Sequence, residues 1–256
     1  MNKQVKPKQL NLKVKSIKKV KPDVFLLSFD DSFLAKNSRP GQFLHIKIDK
    51  VILRRPFSIH YVKGTSIYIL FRIRGRGTKI LSGYKAGKKI NVIGPLGNGF
   101  DYESQPTDKK KQILIAGGLG VAPLVFLAAK LKKFKPVVFL GAKNKEELLC
   151  EAEFKKLGCK VKIATEDGSK GSKATAIDLF KKEKLNADII YSCGPKEMFF
   201  QIHKVLKTKP KVNCQVSFEQ FMGCGLGVCC ACTIETKQGY KKVCKDGPVF
   251  NIKDIW

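Results

Sequence analysis

Long apolar runs are missing from this sequence. In its 256 residues no stretch approaches the ~18–20 consecutive apolar residues that cross a bilayer, so we expect no membrane span. The basic first twenty residues also lack the apolar segment and the small-residue cleavage site of a secretory signal. Hydrophobic residues nevertheless make up 43% of the chain, which excludes a wholly disordered protein. The length predicts two compact domains with a small appendage.

Arginine is scarce among the basic residues. The formal net charge is +29, yet only six of the 50 basic residues are arginine, and the 44 lysines are spread over the whole chain. A surface that binds nucleic acid more often combines arginine with aromatic stacking residues on one face. We therefore expect no nucleic-acid partner and interpret the lysine excess as a general compositional bias.

Histidine is equally scarce. The chain contains only His45, His60 and His203, which are scattered along the sequence. Their separation does not favour a metal site or a general base. We accordingly predict no catalytic acid–base side chain on this chain.

The spacing of apolar residues divides the chain into regions. Residues 1–104 hold six short runs rich in β-branched and aromatic residues, with one short helix from Thr78, which predicts a closed or nearly closed antiparallel barrel. Residues 105–211 alternate apolar strands with amphipathic helices, which predicts a parallel sheet in βαβ units. Residues 212–256 add one strand and a glycine- and cysteine-rich domain. The predicted linker is TDKKKQ, residues 107–112.

Cysteine is abundant only near the end of the sequence. Five of the nine cysteines lie within residues 224–244. An odd total with this clustering indicates metal or redox chemistry in a reducing compartment. We therefore expect a cytoplasmic protein. The C-x4-C-x2-C spacing followed by a distant cysteine is typical of a plant-type [2Fe–2S] ferredoxin. The predicted ligands are Cys224, Cys229, Cys232 and Cys244. A zinc site is the alternative, although zinc favours paired C-x2-C knuckles and only one is present. Cys230 is interpreted as a bystander.

Two segments of the predicted barrel suit anions. Arg55-Pro56-Phe57-Ser58 offers a guanidinium that can clamp a phosphate and a nearby hydroxyl. Gly75-Arg76-Gly77-Thr78 opens the predicted helix, where backbone N–H groups favour a second anion. Two such segments in one barrel suit the pyrophosphate of a dinucleotide.

Two further segments lie at strand ends of the predicted parallel sheet. Gly117-Gly118-Leu119-Gly120-Val121-Ala122-Pro123 follows a strand and opens a helix, as a pyrophosphate-binding turn does, without matching GxGxxG strictly. Cys193-Gly194-Pro195-Lys196-Glu197-Met198 follows a later strand, at the sheet edge where ligands bind. The acidic Thr165-Glu166-Asp167-Gly168 predicts NAD rather than NADP, because an acid repels a 2′-phosphate.

Together these motifs resemble a known family. RPFS, GRGT, GPLGNGF, GGLGVAP and CGPKEM occur in the order found in the ferredoxin–NADP⁺ reductase superfamily, over nearly all of residues 10–210. The segments FMGCGLGVCCAC and CKDGPVF are similar to the electron-transfer subunits of type B dihydroorotate dehydrogenase. The resemblance implies a multi-domain β plus α/β fold. Its parts are an antiparallel Greek-key FAD barrel, a Rossmann-like NAD domain with a parallel sheet, and a small C-terminal [2Fe–2S] domain.

The resemblance also implies site residues for three cofactors, namely FAD, NAD and a [2Fe–2S] cluster. The cluster would be held by the four predicted cysteine ligands. The flavin would be bound by Arg55, Pro56, Phe57, Ser58, Leu70, Phe71, Arg72, Gly77 and Thr78. The nicotinamide nucleotide would be bound by Gly117, Gly118, Gly120, Ala122, Pro123, Cys193, Gly194 and Pro195.

The function implied by the resemblance is an oxidoreductase subunit in pyrimidine biosynthesis. It would carry electrons from an FMN-containing catalytic partner, which oxidises dihydroorotate, through the cluster and FAD to NAD⁺, in a heterotetramer with two copies of each subunit. A related reductase subunit, of a sulfide dehydrogenase or a ferredoxin:NADP⁺ transhydrogenase, is the alternative, although transhydrogenase relatives have aspartate where this chain has Cys224. A zinc-containing nucleic-acid adaptor is an alternative from another class. We expect Gly247–Phe250, Ile255 and Trp256 to form part of the docking face.

Overall fold

The computed structural model describes residues 5–104, 111–184 and 186–256. Residues 107–110 of the predicted linker, and residue 105 at the start of the predicted second domain, lie outside these ranges. Within the described ranges, no helix has both the length and the apolar composition to cross a membrane.

The first region is an antiparallel sheet of seven strands with two short helices. In chain order these elements are β1 (Lys8–Lys21), β2 (Val24–Asp30), α1 (Ser32–Asn37), β3 (Phe43–Lys47), β4 (Arg55–Ser58), β5 (Tyr61–Lys63), β6 (Ser66–Arg72), α2 (Arg76–Ser82) and β7 (Lys89–Leu96). The strand order is β4-β3-β7-β1-β2-β6-β5. The sheet places β4 and β5 at opposite edges although they are neighbours in sequence.

The segment RPFSIHYV, residues 55–62, is one of the six runs that we predict as single strands, but the structure divides it into β4 and β5. Between them the N–H of Ile59 donates to the carbonyl of Gln42 (3.0 Å), beside β3, and the N–H of His60 donates to the carbonyl of Tyr68 (2.9 Å) in β6. The chain thus crosses from one sheet edge to the other within two residues. This corner brings the edges together and nearly closes the barrel, as predicted.

The sequence interpretation missed helix α1. The carboxylate of Asp31 accepts a hydrogen bond from the N–H of Leu34 (2.7 Å), which is the usual N-cap arrangement. Leu34 is fully buried and anchors the helix on the barrel. The aspartate before a short apolar segment was the signal for this helix.

The second region contains a mainly parallel sheet covered on both faces. Its elements in chain order are β8 (Gln112–Gly117), α3 (Val121–Lys130), β9 (Val137–Ala142), α4 (Glu151–Lys156), β10 (Lys160–Thr165), β11 (Ser172–Lys173), α5 (Ala176–Lys182), β12 (Ile189–Cys193), α6 (Lys196–Leu206), β13 (Asn213–Ser217), β14 (Thr233–Thr236), β15 (Gly239–Lys242), β16 (Val249–Asn251) and α7 (Ile252–Ile255). The strand order is β11-β10-β9-β8-β12-β13-β16, and only β16 runs antiparallel to its neighbour. Strands β14 and β15 form a separate hairpin.

The predicted boundary at 211/212 separates two strands that pair with each other. Residues Ile189–Cys193 of β12 are hydrogen-bonded in parallel to Asn213–Ser217 of β13. Strand pairing therefore joins β13 and β16 to the parallel sheet, and the domain limits 1–104, 105–211 and 212–256 stay a prediction.

Helix α3 joins the two regions. Eight of its ten residues are buried, because one side covers the parallel sheet and the other meets the barrel. The ring of Phe126 contacts Tyr61 of β5, with 6.4 Å between ring centroids. The first turn of α3 is therefore fixed relative to both regions.

Two of the last apolar residues, which the sequence analysis assigns to a docking face, pack against the core of this chain. Phe250 is buried in β16, where it pairs with Val216 of β13. The indole of Trp256 packs against Phe218 and Phe200, with ring centroids 6.4 and 5.9 Å away. These two side chains support the core beside β13, and the docking role of the last apolar residues stays a prediction.

Candidate functional site

The first cavity, here named the barrel cleft, measures about 460 Å³. Its lining includes seven residues of the predicted flavin set: Pro56, Phe57, Ser58, Leu70, Phe71, Arg72 and Thr78. They come from β4, β6 and α2, so the sequence motifs that lie far apart in the chain meet in one wall. The rings of Phe57 and Phe71 meet edge to face at 5.7 Å, which makes this wall rigid and apolar.

Two residues of the predicted flavin set lie outside the wall of the barrel cleft. The Arg55 guanidinium donates to the carbonyls of Leu53 (2.9 Å) and Arg54 (3.2 Å). Gly77 lies against Arg55, since a Cβ at Gly77 would be 3.5 Å from the arginine Nε. The two residues contact each other, as a shared phosphate site requires, at one margin of the cleft.

Thr78 shapes the loop that precedes α2. Its Oγ1 accepts hydrogen bonds from the N–H of Arg74 (2.8 Å) and the N–H of Gly75 (3.2 Å). The hydroxyl thus holds the loop in place at the rim of the cleft. Its role is to order the backbone there.

The second cavity, here named the sheet-edge cleft, measures about 690 Å³. It lies at the carboxyl ends of the parallel strands, where the strand order reverses between β8 and β12. Five residues of the predicted nucleotide set line it: Gly117, Gly118, Gly120, Gly194 and Pro195. The position agrees with the expected place for a nucleotide in an open α/β sheet.

Glycine is required at position 120 by a close approach of two turns. A Cβ on Gly120 would lie 2.1 Å from the carbonyl oxygen of Cys193, where no atom fits. A Cβ on Gly117 would likewise lie 2.9 Å from Pro195 Cδ. The β8–α3 turn and the β12–α6 turn are therefore in direct contact.

Three residues of the predicted nucleotide set do not line the sheet-edge cleft. Cys193 is buried, and this burial raises the pKa of its thiol well above the ordinary value. Pro123 is buried inside α3. Ala122 lines the barrel cleft instead. The first turn of α3 therefore serves both cavities.

Five residues line both clefts and form a shared wall: Arg72, Arg74, Leu119, Phe218 and Glu219. The Arg72 guanidinium pairs with Asp23 (3.1 Å) and Glu147 (3.4 Å), which fixes it at the junction. Enclosure by the cleft walls raises the pKa of the Glu219 carboxyl, and Arg74 opposes this shift. Arg72 and Leu119 lie in the predicted motifs, whereas Arg74, Phe218 and Glu219 were missed by sequence reasoning. Phe218 and Glu219 directly follow β13, so the strand-end rule applied to that strand was the available signal.

The four predicted cluster ligands come together beside the barrel cleft, with Cys229 exposed and Cys232 and Cys244 buried. We name residues 221–232 together with residues 244–247 the thiol loop. Within it the thiols form two pairs, because Cys224 contacts Cys229 and Cys232 contacts Cys244. A [2Fe–2S] cluster takes four thiolates, two on each iron, so the two pairs match this ligand set.

Backbone N–H groups of the thiol loop point at the sulfurs. The Sγ of Cys224 accepts from the N–H groups of Leu226 (3.3 Å), Val228 (3.4 Å) and Cys229 (3.4 Å). The Sγ of Cys244 accepts from the N–H of Gly227 (3.1 Å). Such donors stabilise thiolates and are the expected surroundings of an iron–sulfur cluster.

The pKa values of the thiols follow from these contacts. Burial raises the pKa of Cys224, but the N–H donors of Cys229, Leu226 and Val228 outweigh it and lower this pKa to about 6. Burial and the neighbouring Cys232 thiol raise the pKa of Cys244 to about 12. The segment around Cys224 is therefore already suited to a thiolate ligand.

No three His, Cys, Asp or Glu side chains of the described ranges are grouped so as to hold one metal ion. Two pairs of thiols, each pair on its own iron, are the arrangement that a [2Fe–2S] cluster takes. The ligand arrangement fits a [2Fe–2S] cluster.

Cys230 differs from the four predicted ligands. Its backbone is left-handed (φ 59°), and its Sγ lies 3.8 Å from the carbonyl oxygen of Val228. Among the hydrogen bonds of the described residues, none runs from a backbone N–H to this sulfur. The bystander interpretation of Cys230 stays a prediction.

The thiol loop is exposed and bordered by apolar side chains. Phe221 and Val228 are 91% and 79% exposed, and Cys229, which directly follows Val228, is exposed as well. Phe221 and Met222 also line the barrel cleft. The loop therefore reaches from the protein surface to the first cavity.

Comparisons with known proteins bear on both parts of the chain. Residues 219–256 match the family model of the iron–sulfur cluster binding domain of dihydroorotate dehydrogenase B, and residues 114–204 match the oxidoreductase NAD-binding domain. The electron transfer subunit of dihydroorotate dehydrogenase B (NAD⁺) from Desulforamulus reducens is 38% identical over 257 residues, which cover 95% of this chain and 96% of that protein. The chain belongs to the family of dihydroorotate dehydrogenase B electron transfer subunits. The resemblance drawn from the motifs is thereby confirmed.

Other members and solved structures agree with this family. The electron transfer subunit from Caldanaerobacter subterraneus subsp. tengcongensis is 37% identical over 252 residues, covering 96% of this chain and 98% of that protein. An NADH-dependent reduced ferredoxin-NADP oxidoreductase structure, solved for insight into flavin-based electron bifurcation, has a TM-score of 0.83 and 28% identity, over 100% of this chain and 91% of that one. A Neisseria gonorrhoeae ferredoxin NADP⁺ reductase, with bound FAD and NADP, has a TM-score of 0.67 and 16% identity. The match covers 78% of this chain and 91% of that one, and at this identity it shows the fold alone. The predicted fold class is confirmed.

Proposed function

We propose that this dihydroorotate dehydrogenase B electron transfer subunit carries electrons from an FMN-containing catalytic partner, which oxidises dihydroorotate, to NAD⁺ in pyrimidine biosynthesis. The observation that carries the proposal is the continuous arrangement of three sites. The exposed thiol loop borders the barrel cleft through Phe221 and Met222, and the barrel cleft shares a wall with the sheet-edge cleft. When bound, a [2Fe–2S] cluster exchanges single electrons, and FAD converts them to a hydride for NAD⁺.

The thiol loop holds the [2Fe–2S] cluster in this proposal. Cys224 and Cys229 supply one pair of thiolates, and Cys232 and Cys244 supply the other. The backbone N–H groups of residues 226–229 donate to the thiolates and lower the cost of their charge. Exposure of Cys229 leaves this site open to a docked partner.

The barrel cleft holds FAD. Pro56, Phe57 and Ser58 from β4, with Leu70, Phe71 and Arg72 from β6, provide the wall for the isoalloxazine. Arg55 and Gly77 lie at its margin and suit the phosphates, because the guanidinium binds anions, and Thr78 of the wall orders the loop beside them.

The sheet-edge cleft holds NAD. The turns that carry Gly117, Gly118 and Gly120 let the pyrophosphate approach the first turn of α3. Gly194 and Pro195 would border the nicotinamide, Cys193 is buried directly before them, and Pro123 is buried in the first turn of α3. Leu119 lines both clefts, so it would lie between the bound nicotinamide and the bound flavin or beside both.

We infer that the partner docks on the thiol loop. Electrons that cross between proteins need a short distance, so the cluster must lie at the interface. The exposed side chains of Phe221, Leu226 and Val228 supply apolar contacts around the ligands. A heterotetramer with two copies of each subunit is our proposed assembly, and the nine free thiols suit a cytoplasmic, reducing location.

Reconstitution tests this function. The isolated chain, loaded with its cofactors, is expected to oxidise NADH with artificial dyes and to leave dihydroorotate untouched. Addition of the FMN-containing catalytic subunit is expected to produce dihydroorotate-dependent reduction of NAD⁺. Oxidation of dihydroorotate by the isolated chain, or no NAD⁺ reduction by the complex, would contradict the proposal.

A further inference from the structure

The turn that follows β7 lies in neither cleft, yet it contacts the thiol loop. In it, Nδ2 of Asn98 donates to the carbonyls of Lys245 (3.1 Å) and Asp246 (2.9 Å). The backbone N–H of Asn98 donates to the carbonyl of Gly247 (2.6 Å). Three consecutive carbonyls after Cys244 are therefore held by one residue of the barrel.

At this turn Gly97 approaches residues 247–248 so closely that position 97 has no room for a side chain. Gly97 has a left-handed backbone (φ 73°), and a Cβ there would lie 2.5 Å from Pro248 Cδ and 2.8 Å from the Gly247 carbonyl oxygen. The side chain of Gln42 donates to the Gly97 carbonyl (2.8 Å) and ties the turn to the barrel. The segment of the fourth ligand thus rests on a fixed part of the barrel.

His45 of β3 makes the corresponding contact with the segment of the first ligand. The ring is fully buried, and a Cβ on Gly225 would lie 2.6 Å from its Nδ1. The main-chain carbonyl of Cys224 faces the ring, although neither ring nitrogen completes a hydrogen bond of normal geometry among the described residues. Buried polar groups nearly always have a hydrogen-bond partner. The incomplete bonding of the His45 ring therefore draws attention to its other contact, the close packing against Gly225.

The strand behind His45 belongs to the flavin wall. His45 pairs with Pro56 of β4, and its main-chain carbonyl accepts a hydrogen bond from Arg54 (3.3 Å). One short stretch of barrel therefore contacts the barrel cleft on one side and the thiol loop on the other. The same sheet that shapes the flavin cleft also determines where the ligands lie.

We propose that Asn98 and His45 are positioning residues that hold the two ligand segments of the thiol loop against the barrel and so fix the cluster relative to the flavin. The proposal rests on the proposed function, because it requires a [2Fe–2S] cluster on the thiol loop. Asn98 acts on the segment of Cys244, and His45 acts on the segment of Cys224. Neither side chain is a ligand.

The test uses the full, cofactor-loaded chain and its Asn98→Asp variant. Aspartate has the size of asparagine, but its carboxylate cannot donate and is repelled by the two carbonyls. Loss of an outer-shell hydrogen bond weakens metal binding roughly 10- to 100-fold. We expect iron release to a chelator to accelerate by about the same factor. The g-values of the reduced cluster in electron paramagnetic resonance (EPR) spectra are expected to shift, while FAD content and NADH–dye turnover stay unchanged.

Two further variants keep the result interpretable. Asn37→Asp is the matched control, because Asn37 also donates its amide to a main-chain carbonyl (Phe33, 2.7 Å) but lies in α1 of the barrel. His45→Phe keeps a buried ring without nitrogens and is expected to shift the EPR g-values with full iron content. If Asn98→Asp fails to fold, Asn98→Ser, which keeps one donor, takes its place with a smaller expected acceleration.

The outcomes separate this proposal from the function on which it rests. Parent-like chelator resistance and parent-like EPR spectra in both the Asn98 and His45 variants would overturn the positioning roles alone. A parent chain without any [2Fe–2S] signal after reconstitution would overturn the proposed function as well.

Discussion

Nδ1 of His60 lies 3.0 Å from the main-chain carbonyl oxygen of Ala122. His60 belongs to the corner between β4 and β5, and Ala122 belongs to the first turn of α3. A carbonyl only accepts, so Nδ1 carries the proton and the ring is a neutral donor. This bond joins the barrel corner to the nucleotide-binding turn, and it is buried.

Protonation of His60 is expected to destabilise the protein in acid. Burial lowers the pKa of His60 below 6.5, and the bond to Ala122 offsets only part of this shift. The unfolded chain therefore binds more protons than the folded one as pH falls through about 6.5, and the free energy of unfolding decreases there. We expect His60→Gln to show a smaller loss of Tm between pH 7.5 and 5.5, at roughly 1 kcal/mol lower stability at pH 7.5.

His203→Gln is the matched control for this measurement. His203 is only partly buried, beside Trp256, although its pKa is also lowered by burial. The His203 variant is expected to keep more of the parental pH dependence than the His60 variant. Identical pH profiles of the parent and His60→Gln would show that His60 does not contribute.

Replacement of single cysteines tests the ligand set. Serine at Cys224, Cys229, Cys232 or Cys244 is expected to bleach the iron–sulfur absorbance, because each removes one of four thiolates. Cys230→Ser is expected to leave the visible spectrum unchanged. Loss of the cluster in Cys230→Ser alone would mean that the ligand register is wrong.

Coenzyme choice is expected to depend on Glu166. It lines the sheet-edge cleft after β10, whereas the carboxylate of Asp167 accepts from Ser169 within its own turn. Glu166→Ser removes a charge that repels a 2′-phosphate, so kcat/KM for NADPH relative to NADH should rise roughly 10- to 100-fold. Glu146→Ser, at an exposed residue outside the cleft, should leave the ratio unchanged. Equal use of both coenzymes by the parent would refute the predicted preference for NAD.

The contact between the two nucleotide-binding turns is expected to tolerate no side chain. In Gly120→Ala the new Cβ would overlap the Cys193 carbonyl, so the turns must separate and NADH–dye turnover should fall with Tm. Gly64→Ala, in the turn between β5 and β6 outside both clefts, is the control, since its Cβ would meet nothing within 4 Å and would cost only about 1 kcal/mol of backbone strain at φ 59°. A Gly120→Ala variant as active and as stable as Gly64→Ala would contradict the direct contact between the two nucleotide-binding turns.

Assembly with the catalytic subunit is expected to depend on Val228. This side chain is 79% exposed beside the ligands, and its loss removes apolar contact area from the proposed interface. Val228→Ser should weaken the complex about tenfold in isothermal titration calorimetry while NADH–dye turnover is kept. Val20→Ser, on exposed β1 of the barrel, is the control. Unchanged affinity in Val228→Ser would exclude this part of the loop from the interface.

The sequence predicted the two sheets and the places where their motifs meet. The short runs of β-branched and aromatic residues and the strand–helix alternation follow from which faces are buried, and the glycine turns follow from backbone freedom. The corner at Ile59 and His60 was not predicted, because an apolar run does not show that its two halves pair with different sheet edges.

The site was predicted best where spacing alone defines chemistry. The spacing of the cysteines predicts the ligand set, and the structure places Cys224 against Cys229 and Cys232 against Cys244. Glu219 and Asn98 were missed, because their importance arises from contacts between distant segments. The packing of Phe250 and Trp256 on the core was not predicted, since apolar composition does not distinguish a core from an interface.

Strand β16 connects the thiol loop to the parallel sheet. Three ligands precede the β14–β15 hairpin and Cys244 follows it, and β16 returns the chain to the edge of the parallel sheet beside β13. The segment after Cys244 is therefore held at one end by the barrel turn at Asn98 and at the other by the edge of the sheet. A substitution that weakens the pairing of β16 with β13 would act on the ligand site without touching a ligand.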